Sequence, residues 1–187
     1  MVQESDETMA IKVQAGDKEA FGFLIERYEG KLKRYGRKFL NTKEDIEDIV
    51  QEVFIKAYTH IQSYDSTQRF SPWVYRIAHN QFVNELRKKS RQPLGFFDPD
   101  TILPFVTASE TTDGPLEQEE LKKMMEEFLD EVDSKYREPL VLFFYEELSY
   151  QDISEVLHIP VTTVGVRIKR GKEKLKALYT KKNVWIT

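Results

Sequence analysis

The sequence predicts an all-α protein: two small helical modules joined by an acidic, proline-containing linker, the second ending in a helix-turn-helix. Three observations carry this. Apolar residues recur at three-four spacing along most of the chain, the period of one helix face, and strand-like alternation is hard to find. Between residues 92 and 120 that pattern stops, and Pro93, Pro99, Pro104 and Pro115 appear with Gly95 and Gly114, residues that punctuate rather than propagate secondary structure. From Leu148 to Leu175 two short amphipathic segments meet around a tight break.

The elements follow in order. Asp17 suits the cap of a helix whose Ala20, Phe21, Leu24, Ile25 and Tyr28 form a stripe. Asn41 or Thr42 suits the cap of the next, which carries Ile46, Ile49, Val50, Val53, Phe54, Ala57, Tyr58 and Ile61. A polar break runs from Gln62 to Gln68. Ser71 and Pro72 then read as a cap followed by a first-turn proline, opening a helix with Trp73, Val74, Ile77, Ala78, Phe82, Val83 and Leu86. Beyond the linker, a helix from about Leu116 to Val132 precedes one from Lys135 to about Glu147, with Pro139 in its first turns. Ser149 and Asp152 make a capping-box pattern for a short helix with an apolar face of Ile153, Val156 and Leu157. His158-Ile159-Pro160 breaks it. A last helix starts between Val161 and Thr163, with Val164, Ile168, Leu175 and Leu178 inward.

Charge is unevenly spread. The net −4 divides into +2 over residues 1–91, −7 over 92–120, and +1 over 121–187. The acidity therefore belongs to the linker, which holds no Lys or Arg, and local field rather than total charge governs contact with phosphate. Leu94, Phe96, Phe97, Ile102, Leu103, Phe105 and Val106 make that linker too apolar for a purely solvated tether. It either packs back on a module or lies along a partner.

Several chemistries are excluded. Without cysteine there is no disulfide framework or thiolate metal site. His60, His79 and His158 are far apart and lack metal-ligand spacing, and no Gly-rich phosphate loop ends in GK[ST]. No catalytic residue, metal or cofactor is expected, and the chain reads as a non-enzyme. The polar N-terminus is unlike a secretory signal and no apolar run reaches membrane-spanning length. The expectation is a cytoplasmic protein without membrane insertion.

What remains is binding. The last helix is packed on one side and carries Arg167, Lys169, Arg170, Lys172, Lys174 and Lys176 on the others, which suits a DNA groove. An ordinary solvated basic helix is the blander reading. Between Arg69 and Arg91, Phe70, Trp73, Tyr75 and Phe82 interleave with Arg69, Arg76, Arg87, Lys88, Lys89 and Arg91. Aromatic faces stack on bases and cations track phosphates, so the mix suits single-stranded DNA. Some members serve the core instead, since Trp73, Ile77 and Phe82 share a helical face.

DIEDIVQEVFIKAY (Asp45–Tyr58), RFSPWVYRIAHNQFVNELRKKSR (Arg69–Arg91) and the terminal helix-turn-helix stand in this order around the linker. From roughly Ala10 to Tyr179 the chain resembles the extracytoplasmic-function group of bacterial sigma factors. The resemblance implies a region 2-like domain over 10–91, a linker over 92–120 and a region 4-like domain over 121–180. It implies a protein that binds core RNA polymerase and directs promoter-specific initiation.

The resemblance also assigns residues. Asp48, Gln51 and Glu52 match the polar face that docks on the clamp helices of the largest polymerase subunit. Without the family they would read as a solvated helix face. Ser63, Tyr64, Asp65, Arg69, Arg76, Asn80, Asn84, Arg87 and Lys88 match the −10 element surface, the loop Ser63–Arg69 helping to capture an extruded base. Thr162, Thr163, Val166, Arg167, Lys169 and Arg170 match the helix that reads the −35 duplex. Here Thr162 replaces a usual glycine, Gly165 a usual cation and Val166 a usual serine, so the sequence preference is expected to depart from the family's. The acidic linker is expected to thread toward the basic channels of polymerase, or else to act as a solubilising tether. Implied partners are core polymerase, promoter DNA in duplex and single-stranded form, and an anti-sigma factor. Two rival readings remain: a stand-alone helix-turn-helix regulator acting without polymerase, and an adaptor binding only protein.

Overall fold

A helix that the cap signals above do not anticipate opens the structure. α1 (Asp6–Gln14) is capped by Ser5, whose Oγ accepts from the Thr8 amide at 3.2 Å. Its acidic sequence hides Met9, Ala10 and Val13, which are buried at three-four spacing. The computed structural model describes residues 4–89, 121, 124, 125 and 127–184, and every regular element among them is helical. They fall into two units, one within residues 1–94 and the other within 95–187. The expected linker over 92–120 lies outside the described residues, as do Ser90 and Arg91.

In the first unit, α2 (Lys18–Gly36) starts at Asp17, whose carboxylate accepts from the Glu19 and Ala20 amides. α3 (Lys43–His60) starts at Thr42, deciding between the two caps the sequence allowed. A 3-10 turn, Ile61–Ser63, ends it. α4 (Phe70–Lys89) begins at Phe70, so Ser71 and Pro72 lie in the first turn rather than ahead of it. The cap comes from elsewhere in the chain: Glu7 of α1 accepts from the Phe70 amide at 3.0 Å. A carboxylate there also faces the positive end of the helix dipole.

The core of this unit is aromatic. Tyr28, Tyr35, Phe70, Tyr75 and Phe82 are fully buried, with centroids 5.5 Å apart for Tyr28–Phe70 and 5.3 Å for Tyr35–Tyr75. Phe39 stacks on Phe82 at 5.3 Å. Gly36 is what admits Phe82, because a β-carbon there would sit 2.5 Å from its Cζ.

The second unit contains helical positions at 121, 124, 125, 127 and 128, with Leu121, Met124, Met125 and Phe128 buried. A 3-10 turn, Leu129–Glu131, leads into α5 (Ser134–Phe144). α5 stops short of the expected Glu147. That residue takes a left-handed conformation (φ 53°), and the Leu148 amide reaches back to the Leu142 carbonyl at 3.0 Å. α6 (Tyr150–Leu157) carries the full capping box, Ser149 and Asp152 each accepting from the other's amide at 3.1 Å. It ends at His158 in the left-handed region. α7 (Val161–Val184) follows, burying Val164, Ile168 and Leu175 completely. Gly171 faces Leu140 of α5 so closely that a β-carbon would lie 2.7 Å from Cδ1.

Candidate nucleic-acid and polymerase interfaces

Asp48, Gln51 and Glu52 are all exposed on one stripe of α3. Glu52 is not loose: its Oε2 accepts from Nε2 of Gln81 on α4 at 2.8 Å. Gln81 is itself buried, at 8% exposure, and its Oε1 accepts from Lys56. A polar residue inside an otherwise apolar face of α4 thus anchors the α3 surface. One turn further along the stripe, Ile55 is 64% exposed.

On α4, Arg76, Asn80, Asn84, Arg87 and Lys88 are all exposed. Their spacing of three and four residues puts them on one face, so the helix brings amide and cationic groups into a single line. Lys88 also pairs with Glu85 at 3.2 Å. Lys89 turns aside to Asp45 at the start of α3, and this ion pair, with the Thr42 hydroxyl, holds the Asp45 carboxyl below its ordinary range.

Between α3 and α4 the predicted loop divides. Ser63, Asp65 and Arg69 are exposed. Asp65 Oδ1 accepts from the Thr67 amide at 2.9 Å and its hydroxyl at 2.8 Å, which pulls the carboxyl below its usual value. Tyr64, expected among the −10 contacts, is instead a core residue, 4% exposed. Its ring lies 5.5 Å from Phe70 and 5.3 Å from Trp73, its hydroxyl donates to the Gln68 carbonyl, and burial pushes the phenol's pKa up. Tyr64 supports the loop from beneath and offers no free face for stacking. Trp73 is partly exposed at the edge of this cluster.

On α7, Thr162 and Lys169 are exposed, and Val166, Arg167 and Arg170 partly so. Thr163 is 3% exposed, on the packed side with Val164. The expectation of a DNA contact there is corrected: the residue falls on the inward stripe of the helix. Gly165 is buried too, so its missing side chain leaves no gap in the outward cationic face. Arg167 is half-buried, which lowers its pKa without bringing the guanidinium near neutrality. Lys174 pairs with Asp133 at 3.4 Å, and Lys182 pairs with Glu127 and lies 5.3 Å over the Phe128 ring. Those two cations fasten α7 to its own unit.

Among the described residues no cluster of His, Asp or Glu is placed to hold a metal ion, and no helix is long and apolar enough to cross a membrane.

Each unit contains the match to one family model, Sigma-70 region 2 over residues 24–92 and Sigma-70, region 4 over residues 122–175. The chain is 35% identical over 177 residues to the ECF RNA polymerase sigma factor SigW of Bacillus subtilis, covering 88% of this chain and 91% of that one. The chain belongs to the extracytoplasmic-function sigma factors. This sigma factor is also 32% identical over 188 residues to the RNA polymerase sigma-H factor of Pseudomonas aeruginosa, with 95% and 96% covered. Among solved structures it resembles CnrH, determined in complex with the cytosolic domain of CnrY, at a TM-score of 0.66 and 25% identity over 95% of this chain and 99% of that one. Its function is promoter-directed transcription initiation with core RNA polymerase. Matches running through both units do not favour a stand-alone regulator. Sigma factors are generally non-enzymatic regulators of transcription.

Sequence reasoning missed α1, Glu7, Gln14 and Gln81. Residues at 9, 10 and 13 carried a faint apolar period in an acidic context. The bonds made by Glu7, Gln14 and Gln81 join residues far apart in the chain, and no local pattern signals them.

Proposed function

We propose how the labour of initiation is divided among these surfaces. Asp48, Gln51 and Glu52 engage the clamp helices of the largest polymerase subunit through charge-assisted bonds. Ser63, Asp65 and Arg69 of the loop, with Arg76, Asn80, Asn84, Arg87 and Lys88 of α4, hold the −10 strand. Thr162, Val166, Arg167, Lys169 and Arg170 face the −35 duplex. The corresponding domains are 10–91 and 121–180, joined by 92–120. The chain adds no catalysis of its own and works in the cytoplasm. CnrH is seen with the cytosolic domain of CnrY, which supports an anti-sigma partner here as well.

The observation that carries this reading is the exposed line of Arg76, Asn80, Asn84, Arg87 and Lys88 on the same helix as the partly exposed Trp73. It pairs phosphate-tracking cations with amides able to reach base edges. The test combines the purified chain, core polymerase and genomic fragments, scored for promoter-specific open complexes. Arg76→Ala and Arg87→Ala together should abolish strand opening while core association persists. Wild-type opening by that double variant would overturn the assignment.

A further inference from the structure

We infer that α1 is a positioning element for the loop between α3 and α4, acting through Gln14 and Glu7. Gln14 Nε2 lies 2.8 Å from the Ile61 carbonyl and 2.8 Å from the Tyr64 carbonyl, donating to both. The Gln62 side chain returns the contact, its Nε2 donating to the Gln14 backbone carbonyl at 2.9 Å. At the far end of the loop, Glu7 accepts from the Phe70 amide at 3.0 Å. One short helix therefore grips both ends of the loop, at the close of α3 and the opening of α4.

The bonds fall at the two helix boundaries that frame the loop. Carbonyls at a helix end have no acceptor role inside the helix, and amides at a helix start have no intrahelical acceptor. Glu7 satisfies the second kind, while Gln14 gives the Ile61 carbonyl, which also accepts from the Tyr64 amide at 3.1 Å, a second donor and reaches the Tyr64 carbonyl just past the turn. Inside the loop, Tyr64 donates to the Gln68 carbonyl and Asp65 accepts twice from Thr67. With both ends and the middle held, exposed Ser63, Asp65 and Arg69 project from a backbone set before any strand arrives. Preorganisation of this kind strengthens discrimination more than bulk affinity, because contacts to one base require a defined geometry whereas phosphate contacts tolerate drift. α1 is itself pinned, since Asp6 pairs with Arg27 at 2.5 Å and accepts from the Tyr28 hydroxyl at 2.6 Å. The grip is transmitted from a fixed base.

This inference rests on the proposed reading of the loop as the base-capturing part of the −10 surface, and the experiment separates the two. Holoenzyme is reconstituted from core polymerase and the full chain, and its preferred −10 single strand is selected from a randomised pool. Affinity is then measured for that strand and for versions with one abasic site scanned across it. The variants are Gln14→Met, which keeps length and helix propensity but removes the donor, Glu7→Ala, and Glu7→Gln, which keeps an acceptor oxygen. Wild type should lose about tenfold at one abasic position, the scale of one or two lost hydrogen bonds. Gln14→Met and Glu7→Ala should reduce that ratio to about twofold or less with unchanged affinity for the abasic strand, and Glu7→Gln should restore it. Wild-type ratios in Gln14→Met and Glu7→Ala overturn the inference while leaving the loop reading intact. Equal loss on both strands assigns α1 a purely structural role and also overturns it. No abasic-sensitive position in the wild type overturns the loop reading and the inference with it.

Discussion

Gln81, buried on α4, donates its side-chain amide to Glu52 on α3 at 2.8 Å. A residue of the helix proposed to hold DNA thereby orients a carboxylate proposed to meet polymerase. The same amide group takes the Lys56 ammonium on its oxygen. Replacing Gln81 with Met keeps the volume and removes both bonds. Core affinity should fall about two- to tenfold, the scale of one ordinary hydrogen bond, with −35 duplex binding unchanged. Fluorescence anisotropy with labelled sigma factor reads both, and wild-type core affinity would refute the link.

Gly36→Ala should destabilise the first unit by about 1–3 kcal/mol, the usual cost of overpacking. Its β-carbon would sit 2.5 Å from Phe82 Cζ and 3.0 Å from Ile46 Cγ2. Gly30→Ala is the control: nothing lies within 4 Å of the added atom, so better helix propensity should stabilise by about 0.5–1 kcal/mol. Denaturant midpoints of the two variants should move in opposite directions.

Ser149→Ala removes one half of the capping box at α6. A loss of about 1 kcal/mol is expected in the second unit, seen as faster amide exchange across Tyr150–Leu157 than in wild type. Unchanged protection would show that packing alone holds this helix.

Lys169→Ala and Arg170→Ala should each weaken −35 duplex binding and lower the salt slope of log K by about one. Thr163→Val, at a buried position, should leave both untouched. Titrations at several salt concentrations decide it, and weaker duplex binding by Thr163→Val would restore that residue to the DNA surface, since a neutral side chain acts on affinity rather than on the slope.

Asp45 carries a pH signature. Its folded pKa lies below the ordinary 3.8, chiefly through Lys89 and then Thr42, so the unfolded chain binds the proton more readily. The contribution is complete above that ordinary value and is lost as pH falls below it. Lys89→Ala should therefore flatten the acid limb of the stability curve, measured by urea midpoints at pH 3 and pH 7. An identical difference between the two pH values in variant and wild type would exclude the pair.

Much of this protein was written locally. Asp17, Thr42 and Ser149 cap helices through bonds two or three residues long, and apolar stripes at helical period select their buried faces. The order of motifs around the acidic segment was likewise enough to identify the family. The resemblance named Arg76, Asn80, Asn84, Arg87 and Lys88, and all five are exposed on α4.

Tertiary structure decided the rest. Thr163 and Tyr64 looked like contact residues and became core, because helix rotation and ring packing determine which side of a boundary residue is covered. α4 looked self-capped at Ser71, yet its first amide is taken by Glu7, 63 residues away in sequence. Gln14 and Gln81 gave no local signal because their partners are assembled only when helices pack. Short-range hydrogen bonding and periodicity are properties of a segment and can be read from it. A bond between distant segments depends on the path of the backbone between them, which only the folded chain defines.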